Sequence, residues 1–282
     1  MQLIDLHLSV SGYCLAKENH SIQNGKKENI KFHALWGLIK HSSKGLILFD
    51  TGYTKRFYDE TRSYPNRIYA NLTKVEINEV DEVKTQLAKN GIDSSEIKHV
   101  IISHFHADHV CGMNDFPNAT FYCSKNALSQ FLRIPKKLAF TKGILKNLVP
   151  KDFQQRVKII EDFSKKKEHP IFNETYDLFS DESIEIVSLP GHAVGQMGLL
   201  VGTSKNNYFL VADAVWHKEA YLDDRLPNPI VRLFFHSWKD YKESILKIKK
   251  FSHSNPDTVI IPSHCSASYE KLISTNINWD VL

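Results

Sequence analysis

Hydrophobic positions along the chain fall into short runs separated by polar turns, and the spacing inside each run says which element it favours. Nine runs rich in β-branched and aromatic residues have strand length: Leu3 to Val10, Phe32 to Ile39, Leu46 to Phe49, Val100 to Ile102, Thr120 to Tyr122, Ile184 to Leu189, Met197 to Val201, Tyr208 to Val211 and Thr258 to Ile261. Two other patterns repeat at helical spacing. Ile77, Val80, Val83 and Leu87 define one helix face that stops at Asn90-Gly91, and Tyr241, Ile245, Ile248 and Phe251 define another. Strands outnumber helices, and they come in two groups.

The stretch between the groups has a different character. From Phe131 to Glu168 there are eleven Lys and Arg against four Asp and Glu, so this segment carries +7 in a chain whose net charge is +4. Its apolar residues, Leu138, Ile144, Leu145 and Leu148, then Phe153, Val157, Ile160 and Phe163, fall at helical spacing. The pattern predicts two or three amphipathic helices, a cap inserted at about 131–168 with its lysines on the wet face.

A chain of 282 residues with 42% hydrophobic and 24% charged residues is neither disordered nor a disulfide scaffold, and one large domain over 1–282 is expected. A net charge of +4 is too small to point to nucleic acid or an anionic membrane. No run reaches the roughly 18 apolar residues of a membrane span, and the first residues do not read as a secretory leader. Cys14, Cys111, Cys123 and Cys265 form no Cys-x-x-Cys and read as buried thiols of a reducing compartment, so a cytoplasmic location is expected.

The 14 histidines change the picture. His104-Phe105-His106-Ala107-Asp108-His109 directly follows the run Val100 to Ile102, so it leaves a buried strand and enters a loop. Four fixed positions of this kind match by chance in about two chains per thousand of this length. In extended chain, residues i and i+2 point the same way, so His104 and His106 can share a metal. Asp108 and His109 point elsewhere and suit a second metal, or a helix start that Asp108 merely caps. Further candidates follow other strand-like runs: Gly191-His192, Asp213, and Ser263-His264. Strand ends that deliver His and Asp are what a metal site at a sheet edge requires.

These residues resemble the metallo-β-lactamase superfamily, with its His-x-His-x-Asp-His motif and later His, Asp and His, over nearly the whole chain from Phe49-Asp50-Thr51-Gly52 to His264. The resemblance implies an α+β fold, a four-layer αβ/βα sandwich with metals at one edge. It implies one metal held by His104, His106 and His192, another by Asp108, His109 and His264, and Asp213 bridging them, with Asp50 orienting the metal loop. Such a donor set suits two divalent ions, zinc first, with manganese, iron and cobalt left open. The implied chemistry is hydrolysis, since a metal pair supplies hydroxide at neutral pH while Asp108 relays a proton.

Within that superfamily the features are most similar to the N-acyl homoserine lactonases: a Gly-His segment at 191–196, a bridging Asp and a terminal Ser-His. The implied substrate is a small acyl lactone, whose opening would quench quorum signalling. Alternatives are a phosphodiesterase or nuclease, for which the +7 segment would track phosphates, a thioester hydrolase, and a metal-binding relative without turnover. Nucleic acid and membrane are not the expected partners, and a homodimer is left open. One departure matters: three residues after the bridging Asp the lactonases commonly carry Tyr, and here stands Trp216, followed by His217. Either Trp216 or His217 would have to replace the tyrosine hydroxyl as donor to the substrate carbonyl, or Trp216 only packs the pocket wall.

Overall fold

A computed structural model describes residues 4–273; the expected start of the first strand at Leu3 lies outside them. β1 (Ile4–Lys17), β2 (Asn29–His41), β3 (Gly45–Phe49), β4 (Val75–Glu76), β5 (Ile97–Ile101), β6 (Thr120–Cys123) and β7 (Val157–Ile159) form one sheet in the order β4-β1-β2-β3-β5-β6-β7. β8 (Lys165–His169), β9 (Asn173–Asp177), β10 (Ile184–Ser188), β11 (Met197–Gly202), β12 (Asn207–Ala212) and β13 (Thr258–Pro262) form the other, in the order β13-β12-β11-β10-β9-β8. Both are mixed. β3, β5, β6 and β7 run parallel, as do β12 and β13, and the remaining pairs are antiparallel.

Alternation along the strands explains the layers. In β2, Leu35 and Ile39 face the second sheet, where they meet Ile186, Leu199, Leu210 and Ile261. Ala34, Trp36 and Leu38 face the opposite way, into a cluster with Leu87, Val110, Phe131 and Leu148. On the second sheet Val187, Phe209 and Val211 turn outward to Tyr241, Ile245, Ile248 and Phe251 of the Trp238–Ser254 helix. Ser237 caps that helix by accepting from the Asp240 N–H. The result is two sheets face to face with helices on both outer sides, the α+β four-layer sandwich of the metallo-β-lactamase fold.

Two elements differ from the sequence pattern. The helix expected from Ile77 begins only at Val83 and ends at Lys89, because Glu82 is extended and Val80 is solvent-exposed. The basic segment is not an all-helical insertion. Val157–Ile159 pairs with β6 as the first sheet's edge strand, and Lys165–His169 pairs with β9 as the second's. Between Arg133 and Val157 the chain makes only short turns of helix, with Ile144, Leu145, Leu148 and Phe153 buried against the first sheet. The lysine run 165–167 sits on an exposed edge, where charge discourages further strand pairing. Among the described residues no helix is long and apolar enough to cross a membrane.

Candidate metal centre

Five strands end at one edge of the sandwich, and each hands over a polar side chain as it ends. After β3, Asp50 takes a left-handed backbone (φ 60°). After β5 come Ser103 and His104. His106 stays extended and leads into the Ala107–Val110 helical turn, which carries Asp108 and His109 in its second and third positions. After β10, Gly191 (φ 134°) presses its backbone so tightly on the Trp238–Ser254 helix that a Cβ there would lie 2.2 Å from the Tyr241 nitrogen; His192 follows. Asp213 follows β12 and His264 follows β13.

The structure brings all seven expected donors together, in two groups that share Asp213: His104, His106, His192 and Asp213, and Asp108, His109, Asp213 and His264. In the first group His106 Nδ1 is 2.9 Å from His192 Nε2, and that nitrogen is 3.3 Å from Asp213 Oδ2. In the second, His109 Nε2 lies 3.3 Å from both Asp108 Oδ2 and Asp213 Oδ1, and His264 Nε2 lies 3.0 Å from Asp213 Oδ2 and 3.5 Å from Asp108 Oδ2. Ligands of a tetrahedral ion with bonds of about 2.0–2.1 Å stand about 3.3 Å apart, which matches these separations.

Hydrogen bonds on the far side of the rings explain why these atoms face one another. His109 Nδ1 donates to Asp50 Oδ2 at 2.7 Å and His264 Nδ1 donates to the His33 carbonyl at 2.8 Å, which points each Nε2 inward, where the neutral ring would present a lone pair. Asp50 also accepts from the Ser103 N–H and hydroxyl, both at 2.8 Å. His104 Nε2, His109 Nε2 and Asp213 Oδ1 are buried with no hydrogen-bond partner. Converging lone pairs and carboxylates, orphaned and buried, are stabilised by cations.

Electrostatics agree. Burial pushes His104 well below its usual value and His192 down to about 3, so both are neutral and fit to ligate. Burial also disfavours charge on His109, but Asp108, Asp50 and Asp213 outweigh it and hold that imidazole well above its usual value. Burial likewise opposes ionisation of Asp108, yet His109 brings it down to about 2. The positive charge that protons supply here is charge that metal ions would supply in their place.

Trp216 and His217 part company. The Trp216 ring meets His192 (centroids 5.6 Å apart), Phe235 (5.0 Å) and Phe32 (5.5 Å), and its indole N–H is buried without a partner. His217 belongs to neither donor group: Ser21 Oγ lies 2.9 Å from its Nε2. Three features escaped the sequence. Phe32 stacks on His264 at 4.6 Å, the His33 carbonyl anchors that ring, and Gly143 (φ 69°) sits where a Cβ would come within 2.6 Å of the His106 ring. Only Ser103, next to the motif, carried a readable signal.

A fold of this kind with this donor edge defines a class, and residues 31–264 match the metallo-beta-lactamase superfamily. The chain belongs to that superfamily. Among its relatives, the N-acyl homoserine lactonase AttM of Rhizobium radiobacter is 27% identical over 64% of this chain and 62% of its own length, so the chain spans less than two thirds of that protein. The N-acyl homoserine lactonase AttM of Azorhizobium caulinodans is 25% identical over 91% of this chain and 92% of its own. A solved N-acyl homoserine lactone hydrolase, with N-hexanoyl-L-homoserine bound at its catalytic metal centre, superposes with a TM-score of 0.74 at 18% identity, covering 96% of this chain and 97% of that one. At that identity the likeness is one of fold.

Proposed function

We propose that the protein is a dinuclear metal-dependent hydrolase that opens the ring ester of N-acyl homoserine lactones. The observation that carries this reading is the pair of donor groups joined through Asp213. His104, His106 and His192 would hold one ion, Asp108, His109 and His264 the other, with Asp213 shared, and zinc is the ion that five imidazoles and two carboxylates suit best. Bound there, two divalent ions would make water nucleophilic near neutral pH and polarise an ester carbonyl.

The chain's own residues do the rest. Asp108 has the more exposed side chain of the two donor carboxylates, which suits it to take the proton of the attacking water and return it to the leaving ring oxygen. Trp216 holds an unpartnered N–H beside His192 and would donate it to the carbonyl oxygen as charge builds there. The basic segment reaches the centre at Gly143, and the acyl chain is proposed to lie along the apolar side chains it leaves uncovered, Leu138 and Phe140. Each added methylene should then contribute about 0.8 kcal/mol until that apolar surface is covered.

The phosphodiester alternative draws less support. Arg156 is spent on the carbonyls of Phe116, Pro117 and Ala119, while Lys166 and Lys167 pair with Glu174 and Glu185. The deciding experiment offers the zinc-loaded protein a lactone, a thioester, a β-lactam and a phosphodiester side by side. The expected product is the acyl homoserine, heavier than substrate by the mass of one water, about 18, with the amide intact. Free homoserine lactone with fatty acid, or turnover of the phosphodiester alone, would overturn the reading.

A further inference from the structure

Metal-ligating side chains also converge outside the seven-donor centre: His217, Glu219 and Cys265 each offer a ligand atom, and the three atoms lie within 4.8 Å of one another. We propose that these residues form a separate site for a thiophilic divalent cation, such as zinc or cadmium. Three features distinguish the group from a chance encounter. Cys265 is buried and follows His264 at the end of β13, while His217 and Glu219 flank Lys218 at the start of the Glu219–Leu222 turn, so two separate segments must meet to build it. The Lys218 backbone N–H donates to Cys265 Sγ at 3.4 Å, which ties those segments together. The Ser21 hydroxyl at His217 Nε2 fixes the imidazole's orientation, as outer partners of ligating histidines do.

The donor chemistry selects the ion. A sulfur, nitrogen and oxygen set disfavours magnesium and calcium and suits zinc or cadmium, with the fourth position open to water. On binding, the Cys265 S–H bond breaks, its proton leaves to solvent and a sulfur–metal bond forms, so no oxidant or reductant is involved. The occupied site would cross-link β13 to the turn that follows Trp216, and thereby stiffen two segments that carry donors of the neighbouring centre.

The test compares metal content in the wild type and in Cys265→Ser after equilibration with excess zinc, and follows cadmium titration by thiolate-to-cadmium absorption in the ultraviolet. The wild type should bind one ion per chain more than Cys265→Ser, and its absorption should saturate at one thiolate site. Glu219→Gln should need about tenfold more cadmium or more for the same absorption. Equal metal content in both proteins, or no thiolate absorption in the wild type, overturns the site. If Cys265→Ser fails to fold, Glu219→Gln decides: an unchanged titration overturns it. Every readout is a difference between variants, so a failure of the lactonase reading leaves this test intact.

Discussion

The two halves of the seven-donor centre are braced by different forces. Around Asp108, His109 and His264 the outer nitrogens are hydrogen-bonded, His109 to the Asp50 carboxylate and His264 to the His33 carbonyl. Around the other three, His104 Nδ1 lies 3.0 Å from the Ser103 hydroxyl, but for His106 and His192 packing does more. His192 Nδ1 is buried without a partner, the ring is wedged by Trp216 and Phe235, and the Gly143 backbone stands against His106. A hydrogen-bonded ring has its tautomer chosen and its lone pair aimed, whereas a packed ring is only confined. The Asp108 side should therefore hold its ion more tightly, and the His192 side should empty first under a chelator.

Asp213 belongs to both halves, so its removal should erase the difference. Asp213→Ala is expected to lose both ions by elemental analysis and at least about 10³-fold in kcat/KM; one ion retained at full occupancy would mean the carboxylate is not shared. Trp216→Phe keeps bulk and removes the N–H, so kcat should fall about 10²- to 10³-fold with KM little changed. A wild-type kcat would leave the indole as pocket wall. Asp50→Asn weakens the bracing of the Asp108 side directly, by about 10- to 100-fold in metal affinity, and touches the other half only through Ser103 and His104, so a chelator titration should then show the order of loss reversed. Gly143→Ala touches the other half: a side chain at φ 69° against the His106 ring should cost about 1 kcal/mol or more in urea unfolding and release the His192-side ion earlier still. Unchanged release would show that the close approach relaxes freely.

How much of this could be read beforehand follows from what each residue depends on. His104 to His109 declare themselves because their spacing alone aims them, and His192, Asp213 and His264 because each follows an apolar run. Strands whose two faces are both buried, such as β2, were also legible from their unbroken hydrophobicity. β7 and β8 were not. Val157, Ile160 and Phe163 stand three apart as on a helix, yet Val157 lies in an edge strand and Ile160 already belongs to the core between the sheets. Only pairing with β6 and β9 decides that, and a charged edge strand looks like a solvated helix from sequence. Phe32 and His33 were invisible for a related reason: their proximity to His264 depends on how β2 docks, and one of them acts through its backbone.

The bond from His264 to the His33 carbonyl joins residues 231 positions apart, and His264 itself follows β13, which takes its place only beside β12. During synthesis, a chain that has not yet reached β13 already carries His104, His106, His192 and Asp213, but the other donor group lacks its last imidazole. Both donor groups need the two sheets docked, since His104 and His106 follow β5 while His192 and Asp213 follow β10 and β12, but only the second also needs β13, whose distant partners meet late and slowly. If two ions load as proposed, a chain that stops before β13 would keep the donors of the first ion and lack one imidazole of the second, so occupancy of the second ion would report that the last strand is in place.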